Sequence, residues 1–287
     1  MFANLITALE KQEPASEVRR LYNTDYFIVD GISNLWSERE RLMARVNRNR
    51  TLYEVWANPK DRAKILAEAK RRETDDIRDT MSAMQFKECN TFNPMIMGQV
   101  FANFFKKDEL KNVTVLDPSA GWGDRLITAL ALGVGHYIGF DPNTRMHPIY
   151  EKIVTELKRD TATTFYTTRF KKIKGFTVDV VLTSPPFYDY EIYPGTEKDT
   201  QVPYAKWLRE MYTPYIKDAI GMLHINGIFC IYVDNRKYML ADDTARIMRR
   251  TGMQFVCRLA FYNDYISYCG ETHHGKLRSM WVWKRVK

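Results

Sequence analysis

Ser184-Pro185-Pro186-Phe187 places a hydroxyl, two stiff residues and an aromatic ring directly after an apolar run, Val178-Asp179-Val180-Val181-Leu182-Thr183. The run reads as a buried strand. Each proline lacks an amide N–H and has a fixed φ, so the sheet cannot continue through both of them. The chain must leave in a rigid extended turn at the carboxyl end of the strand, where open α/β sheets bind ligands. There the Ser184 oxygen and the carbonyls of the turn can accept the hydrogens of an exocyclic amine, while Phe187 offers a face to the planar ring that carries it. Ser-Pro-Pro by itself is common in linkers; its position at the end of a strand is what gives it chemical meaning.

A second segment, Asp117-Pro118-Ser119-Ala120-Gly121-Trp122-Gly123-Asp124, separates a short apolar strand, Val113-Thr114-Val115-Leu116, from a helix running through Leu126, Leu130 and Leu132. Glycines between a strand and a helix allow a tight turn and a close backbone approach to a ligand. Asp141 ends the next strand, His136-Tyr137-Ile138-Gly139-Phe140. A carboxylate at that place can accept both hydroxyls of a ribose. The loop departs from Gly-x-Gly-x-x-Gly, because position 126 is Leu, and the chain has no Gly-Lys-[Ser/Thr], so a pyrophosphate is poorly served. An acid opening the loop, Asp117, suits a cationic amino-acid group, although it could also be a simple turn carboxylate. With the ribose acid, the pattern points to S-adenosylmethionine as cofactor.

Elements of two kinds must position these segments. From about Val113 onward, strands alternate with helices. Further strands are expected over Thr163–Phe170, Val178–Thr183, Gly227–Val233, Gln254–Tyr262 and Ser279–Trp283, and helices over Pro148–Lys158, Tyr204–Leu223 and Ala241–Arg250. Alternation implies a mostly parallel sheet covered on both faces. The last two strands, with no helix between them, imply an antiparallel hairpin at one edge. Residues 1–88 read as a charged helical extension and 89–287 as the catalytic domain. Asn58-Pro59 is a helix start, with Asn as cap and Pro in the first turn, and that helix is expected to run toward Ile77 and Met81. Arg41, Arg45 and Arg48 at helical spacing read as a solvated basic stripe.

The ordered segments Asp-Pro-Ser-Ala-Gly-Trp-Gly-Asp, Gly-Phe-Asp-Pro-Asn and Thr-Ser-Pro-Pro-Phe resemble the motifs of S-adenosylmethionine-dependent amino-methyltransferases that act on DNA bases. The resemblance covers roughly Thr91 to the C-terminus. It implies a Rossmann-like class I methyltransferase fold with a seven-stranded, mostly parallel sheet. It also implies a catalytic turn at Ser184, Pro185, Pro186 and Phe187 and a cofactor loop over Asp117, Pro118, Ser119, Ala120, Gly121, Trp122 and Gly123. Asp141 would hold the ribose, and Phe92, Asn93 and Pro94 would contact the methionine part. Ser at the head of the Pro-Pro motif is typical of cytosine-N4 methylation, while the motif order is similar to a group that methylates adenine N6. The family often has an acid after the third strand; Phe165-Tyr166-Thr167-Thr168-Arg169-Phe170 has none, so adenine contacts must come from elsewhere.

Net charge is +8, and from Ala245 to the end nine Lys/Arg face two acids, which suits a polyanionic substrate. The first 88 residues carry sixteen basic and fifteen acidic residues and are nearly neutral. Cys89, Cys230, Cys257 and Cys269 lack metal-ligand spacing, so no metal is expected and an intracellular, reduced protein is. No stretch has the apolar length of a membrane span, so no membrane partner is expected. The expected partner is nucleic acid, DNA ahead of RNA, presenting a flipped or unpaired base. Too few residues follow Phe187 for an inserted recognition domain, so sequence reading would fall to the N-terminal region or to the loop Tyr262–Arg278. Two further features stand apart. The His273-His274 pair reads as surface, and of Trp281 and Trp283 one is expected in the core and the other toward solvent. The competing readings are an adenine-N6 enzyme on DNA or RNA and a non-catalytic nucleic-acid-binding protein that keeps the fold.

Overall fold

The computed structural model describes residues 2–10, 20–21, 31–193, 196–235, 237–262, 265–266, 272–273 and 277–287. Seven strands make the central sheet: β1 (Thr114–Asp117), β2 (His136–Phe140), β3 (Ala162–Tyr166), β4 (Val178–Thr183), β5 (Leu223–Tyr232), β6 (Met253–Tyr262) and β7 (Leu277–Arg285). Their order across the sheet is β3-β2-β1-β4-β5-β7-β6, and the two-residue strand Arg20–Leu21 adds an eighth beside β6. β1 to β5 run parallel, while β7 is antiparallel to both β5 and β6. This is a Rossmann-like α/β fold. The expected antiparallel hairpin stands at this edge, with β7 inserted between β5 and β6, and Arg20–Leu21 extends the sheet past β6.

Parallel strands covered on both faces read as continuous apolar runs, and β4 shows why. Its successive side chains point to opposite faces. Val180 and Leu182 enter a core shared with helices α6 (Pro94–Phe104), α7 (Asp124–Leu132) and α8 (His147–Leu157), whereas Val181 enters a second core on the other face, joined by Val178 across an irregularity in the strand between Val178 and Val180. That second core is closed by α10 (Thr213–Ile220) and α11 (Leu240–Arg250).

Three element boundaries differ from the sequence reading for identifiable reasons. β3 ends at Tyr166, because Phe170 turns into the second core, edge-on to Phe140 at 5.0 Å and to Tyr215 at 5.9 Å. The helix expected over Tyr204–Leu223 is α9 (Tyr204–Trp207), a π-turn at Leu208–Tyr212, and α10. Pro214 has no N–H to continue the ladder, and the Thr213 hydroxyl donates instead to the Leu208 carbonyl at 2.7 Å. The helix begun at Asn58-Pro59, α4 (Pro59–Arg71), does not reach Met81; a new helix, α5 (Ile77–Ala83), starts on Asp76, whose side chain accepts from the Asp79 N–H at 2.8 Å.

The boundary drawn after residue 88 does not coincide with a break in packing. Leu5 and Leu9 of α1 (Phe2–Glu10), together with Ile32, Ala44 and Val46, share the core of α6 and α7. Only Leu52, Val55, Ile65 and Met81 form a separate small cluster. Arg45–Val46 also pairs antiparallel with Glu191–Ile192, just beyond the Pro-Pro turn, and the Asn47 N–H donates to the Tyr190 carbonyl at 2.7 Å. The basic stripe does not form either. Arg41, in α2 (Asn34–Leu42), is 1% exposed, donating to the Cys89 carbonyl at 2.7 Å and pairing with Glu88 at 3.2 Å. Arg45 is bound to Glu54. Among the described residues no helix is long and apolar enough to cross a membrane. His274, Cys269 and most of the loop Tyr262–Arg278 lie outside the described residues.

Candidate active site

The carboxyl ends of β1, β2 and β4 open into one cavity of about 470 Å³, a size suited to a nucleoside-sized ligand. Ser184, Pro186 and Phe187 line it from β4, and Pro118, Ser119, Gly121 and Trp122 line it from the β1 loop. Asp141 faces it from β2, and Phe92 and Asn93 from the segment before α6. The two chemically marked segments, 67 residues apart between Asp117 and Ser184, therefore meet around one space. Pro185 is buried behind the turn, and Ala120, Gly123 and Pro94 support the wall without lining it. Asn93 caps α6, its side-chain oxygen accepting from the Met95 N–H at 2.9 Å, with Pro94 in the first turn.

The loop is shaped by its glycines. Gly123 has φ +97° at the start of α7, and a Cβ there would stand 2.9 Å from Ile153 Cδ1. Gly121 has φ +62°, and its N–H donates to Asp141 Oδ2 at 2.9 Å. The other Asp141 oxygen accepts from the Asn143 N–H at 2.8 Å. Burial pushes the Asp141 pKa up to about 6, even though the Asn143 and Gly121 N–H groups pull it down. Its carboxylate lines the cavity with lone pairs to spare.

Asp117 is placed otherwise than expected. It is fully buried and does not line the cavity; it accepts from Arg125 Nε at 2.6 Å, from the Tyr137 hydroxyl at 2.8 Å and from the Ser119 N–H at 3.2 Å. The charged groups that face the cavity at this end are its partner Arg125 and the neighbouring Asp124. Asp124 Oδ2 accepts from the Phe92 N–H at 3.2 Å, and the Arg125 guanidinium lies 5.0 Å from the Phe92 ring centre. Burial works against the Arg125 charge, but Asp117, Tyr137 and Asp124 around it together outweigh that and hold the pKa above the usual value. The quoted motif ended at Asp124, one residue short of Arg125; an Asp-Arg pair opening the helix directly after the loop was the signal for these groups.

Around the turn, Phe187 meets Tyr232 edge-on at 6.5 Å, and Tyr232 meets Phe92 at 5.7 Å. Tyr215 joins the two functional segments: its hydroxyl is 2.9 Å from Ser119 Oγ and 3.0 Å from Thr183 Oγ1, and burial pushes its pKa up. Sequence reading missed Tyr215, because nothing local distinguishes it from a core tyrosine. The three tyrosines after the motif, Tyr188, Tyr190 and Tyr193, all line the cavity, and Tyr188 also packs into an aromatic cluster with Tyr204, Trp207 and Tyr238. Tyr188 has φ +58°, an uncommon conformation for a bulky residue. Its ring is held by that cluster and its hydroxyl by the Val202 carbonyl. Past β3, Arg169, Phe170 and Lys171 line the wall where no acid was found. Trp283 is buried at 2% exposure, and Trp281 is half-buried under Arg258.

No protein-family model matches the sequence, and no curated protein matches it. Solved structures similar in fold include a putative RNA methyltransferase from Pyrococcus horikoshii, at 13% identity and TM-score 0.45, covering 100% of this chain and 98% of that one. An S-adenosylmethionine-dependent O-methyltransferase from Thermotoga maritima matches at 11% identity and TM-score 0.47 over 71% of this chain and 70% of that one. Magnesium protoporphyrin IX methyltransferase from Synechocystis, with bound S-adenosylmethionine, matches at 13% identity and TM-score 0.40 over 60% and 69%.

Proposed function

We propose that this chain transfers a methyl group from S-adenosylmethionine to an exocyclic amine of a nucleobase, cytosine N4 in DNA. The observation that carries the reading is the meeting of Ser184 and Phe187 with Gly121 and Asp141 around one cavity. The residues present fit the cofactor. Gly121 brings bare backbone to the cavity wall, and Asp141 offers acceptors for ribose hydroxyls. Arg125 and Asp124 present opposite charges that suit a carboxylate and an ammonium. When bound, the cofactor supplies an electrophilic methyl group.

The chain's own residues hold the acceptor amine. A cytosine amine is a poor nucleophile, because its lone pair is delocalised into the ring. Ser184 Oγ and a backbone carbonyl of the turn accept its two hydrogens, drawing the nitrogen toward tetrahedral geometry and freeing the lone pair. Phe187 stacks on the base face. The amine nitrogen would take the methyl carbon of the cofactor once that is bound, the sulfur keeping the electron pair of the broken carbon–sulfur bond, and one amine proton would leave to solvent. The rate enhancement comes from positioning and fixed dipoles. Because the site is recessed, the base enters flipped or unpaired.

The test is incubation with isotopically labelled S-adenosylmethionine and defined DNA and RNA, followed by nucleoside identification by mass spectrometry. Labelled N4-methylcytosine from DNA is the expected product. Label appearing only in N6-methyladenine would replace the target base. No cofactor binding in calorimetry and no label in any nucleoside would leave the non-catalytic reading standing.

A further inference from the structure

The near-neutral composition of the N-terminal region conceals a segregated surface. Every ion pair that residues 31–88 make among the described residues joins a carboxylate to an arginine: Glu38 and Glu88 to Arg78, Glu88 also to Arg41, Glu40 to Arg145, Glu54 to Arg45, Asp61 to Arg50, Glu68 to Arg71, Asp79 to Arg72. The lysines are left over. In α4 the inward stripe is Asp61, Ile65, Glu68, Ala69 and Arg72, at spacings of three and four. The outward stripe is Lys60, Ala63, Lys64, Ala67 and Lys70, all exposed. Both acids of the helix lie on the inward side, where Asp61 holds Arg50 at 2.7 Å and Glu68 holds Arg71 at 2.6 Å. Lys60, Lys64 and Lys70 have no carboxylate partner among the described residues, and Arg62, also exposed, flanks the stripe without one. The exposed acids Glu73, Asp75 and Asp76 lie past the end of the helix, so the outward face of the helix itself carries only positive charge.

We propose that this outer face of α4 is a docking surface for the phosphate backbone of the nucleic-acid substrate, with Lys60, Lys64, Lys70 and Arg62 as its phosphate contacts. The proposal rests on the methyltransferase reading above and names where its substrate is held outside the cavity. Thirteen residues of helix present cations along about 20 Å. Ala63 and Ala67 between the lysines keep the surface low, so that a strand can approach closely. An anionic membrane is the less suitable partner. A helix lying on a bilayer buries large apolar side chains on its outer face, whereas this stripe offers only alanines, and Leu66 stands to one side. The face reads no bases, so the contact is independent of sequence.

The test is the full-length Lys60→Gln/Lys64→Gln/Lys70→Gln variant, all at exposed positions remote from the core. Binding of a labelled 20-nucleotide single strand is followed by fluorescence anisotropy across a salt series, and methylation is measured on that strand and on a tetranucleotide. The expected result is a loss of at least tenfold in affinity for the long strand, with the slope of log K against log salt reduced by about two, at ~0.7 per phosphate contact. Tetranucleotide methylation and melting temperature are expected to match wild type. Unchanged long-strand affinity and slope would overturn the docking surface while leaving the methyltransferase reading intact, as would an equal loss on the tetranucleotide. A wild-type protein that methylates no oligonucleotide would instead sink the methyltransferase reading, and this surface with it. Binding of the wild type, but not the variant, to phosphatidylserine vesicles with no binding to oligonucleotides would reassign the face to a membrane.

Discussion

Arg125 Nε lies 2.6 Å from Asp117 Oδ2, with 5% of the arginine side chain and none of the aspartate exposed. The pair ties the end of β1 to the first turn of α7 and carries the strain-bearing loop between them. Removing one partner of such a pair leaves an uncompensated buried charge, which costs about 3–5 kcal/mol. Arg125→Met and Asp117→Asn are therefore each expected to lower stability by that order in urea unfolding. Replacing both together is expected to cost less than the sum of the two. Full additivity would mean that the two groups do not depend on each other.

Asp141 gives the site a pH dependence whose sign is fixed. Its folded pKa, about 6, is above the usual carboxylate value. Considered alone, the group stabilises the fold at pH values below its unfolded pKa, and that contribution is lost as the pH rises through 6. Ribose hydroxyls donating to the carboxylate favour the ionised form and lower its pKa. Cofactor affinity is thus expected to fall as the pH drops below 6, approaching tenfold per unit. Binding at pH 5.5 is expected to release a proton, which shows as a buffer-dependent enthalpy in calorimetry. Affinity that stays flat from pH 7 to 5 would remove Asp141 from the ribose site.

Gly123 and Gly133 have similar backbone conformations, φ +97° and +70°, but different surroundings. A Cβ at Gly123 meets Ile153 at 2.9 Å, while at Gly133 nothing lies within 4 Å. Gly133→Ala is expected to cost only the left-handed backbone strain, about 1 kcal/mol. Gly123→Ala adds a clash against a fully buried side chain, for a total of about 2–4 kcal/mol. Adding Ile153→Val removes the clashing carbon, so the double variant is expected to recover part of the loss. Chemical denaturation of these three variants, with Ile153→Val alone as the reference for the double variant, measures each term.

How far the sequence discloses this protein depends on whether the signal is local. The strand before Ser184 and the loop after β1 were legible because prolines and glycines act on their own backbone, whatever packs around them. Asp117 was legible as an important acid, but not as a buried one, because its partners Arg125 and Tyr137 come from a helix and from the next strand. The break at Pro214 was readable in principle from the missing N–H, yet the apolar periodicity of Tyr204–Leu223 concealed it. Insertion of β7 between β5 and β6 is a matter of chain path, which periodicity does not encode. The same holds for Arg45–Val46, two residues whose pairing with Glu191–Ile192 has no mark in either segment.

Ser184 and Phe187 stand side by side in the turn but are assigned different tasks, and steady-state kinetics separates them. Ser184 acts on the amine as its nitrogen becomes tetrahedral, so Ser184→Ala is expected to lower kcat on the order of 10²-fold with little change in KM. Phe187 holds the base face equally before and during transfer. Its ring already stands edge-on to Tyr232 at 6.5 Å, one side of it facing the cavity. Phe187→Ala is expected to raise KM by the loss of stacking, about 1–3 kcal/mol, while Phe187→Tyr or Phe187→Trp restores it. Neither residue is assigned to the cofactor, so calorimetric affinity for S-adenosylmethionine is expected to stay near that of wild type in both alanine variants. If the alanine variants instead lost cofactor affinity and kept kcat, the Pro-Pro turn would be part of the cofactor wall, and the amine would have to be held by other groups around the cavity.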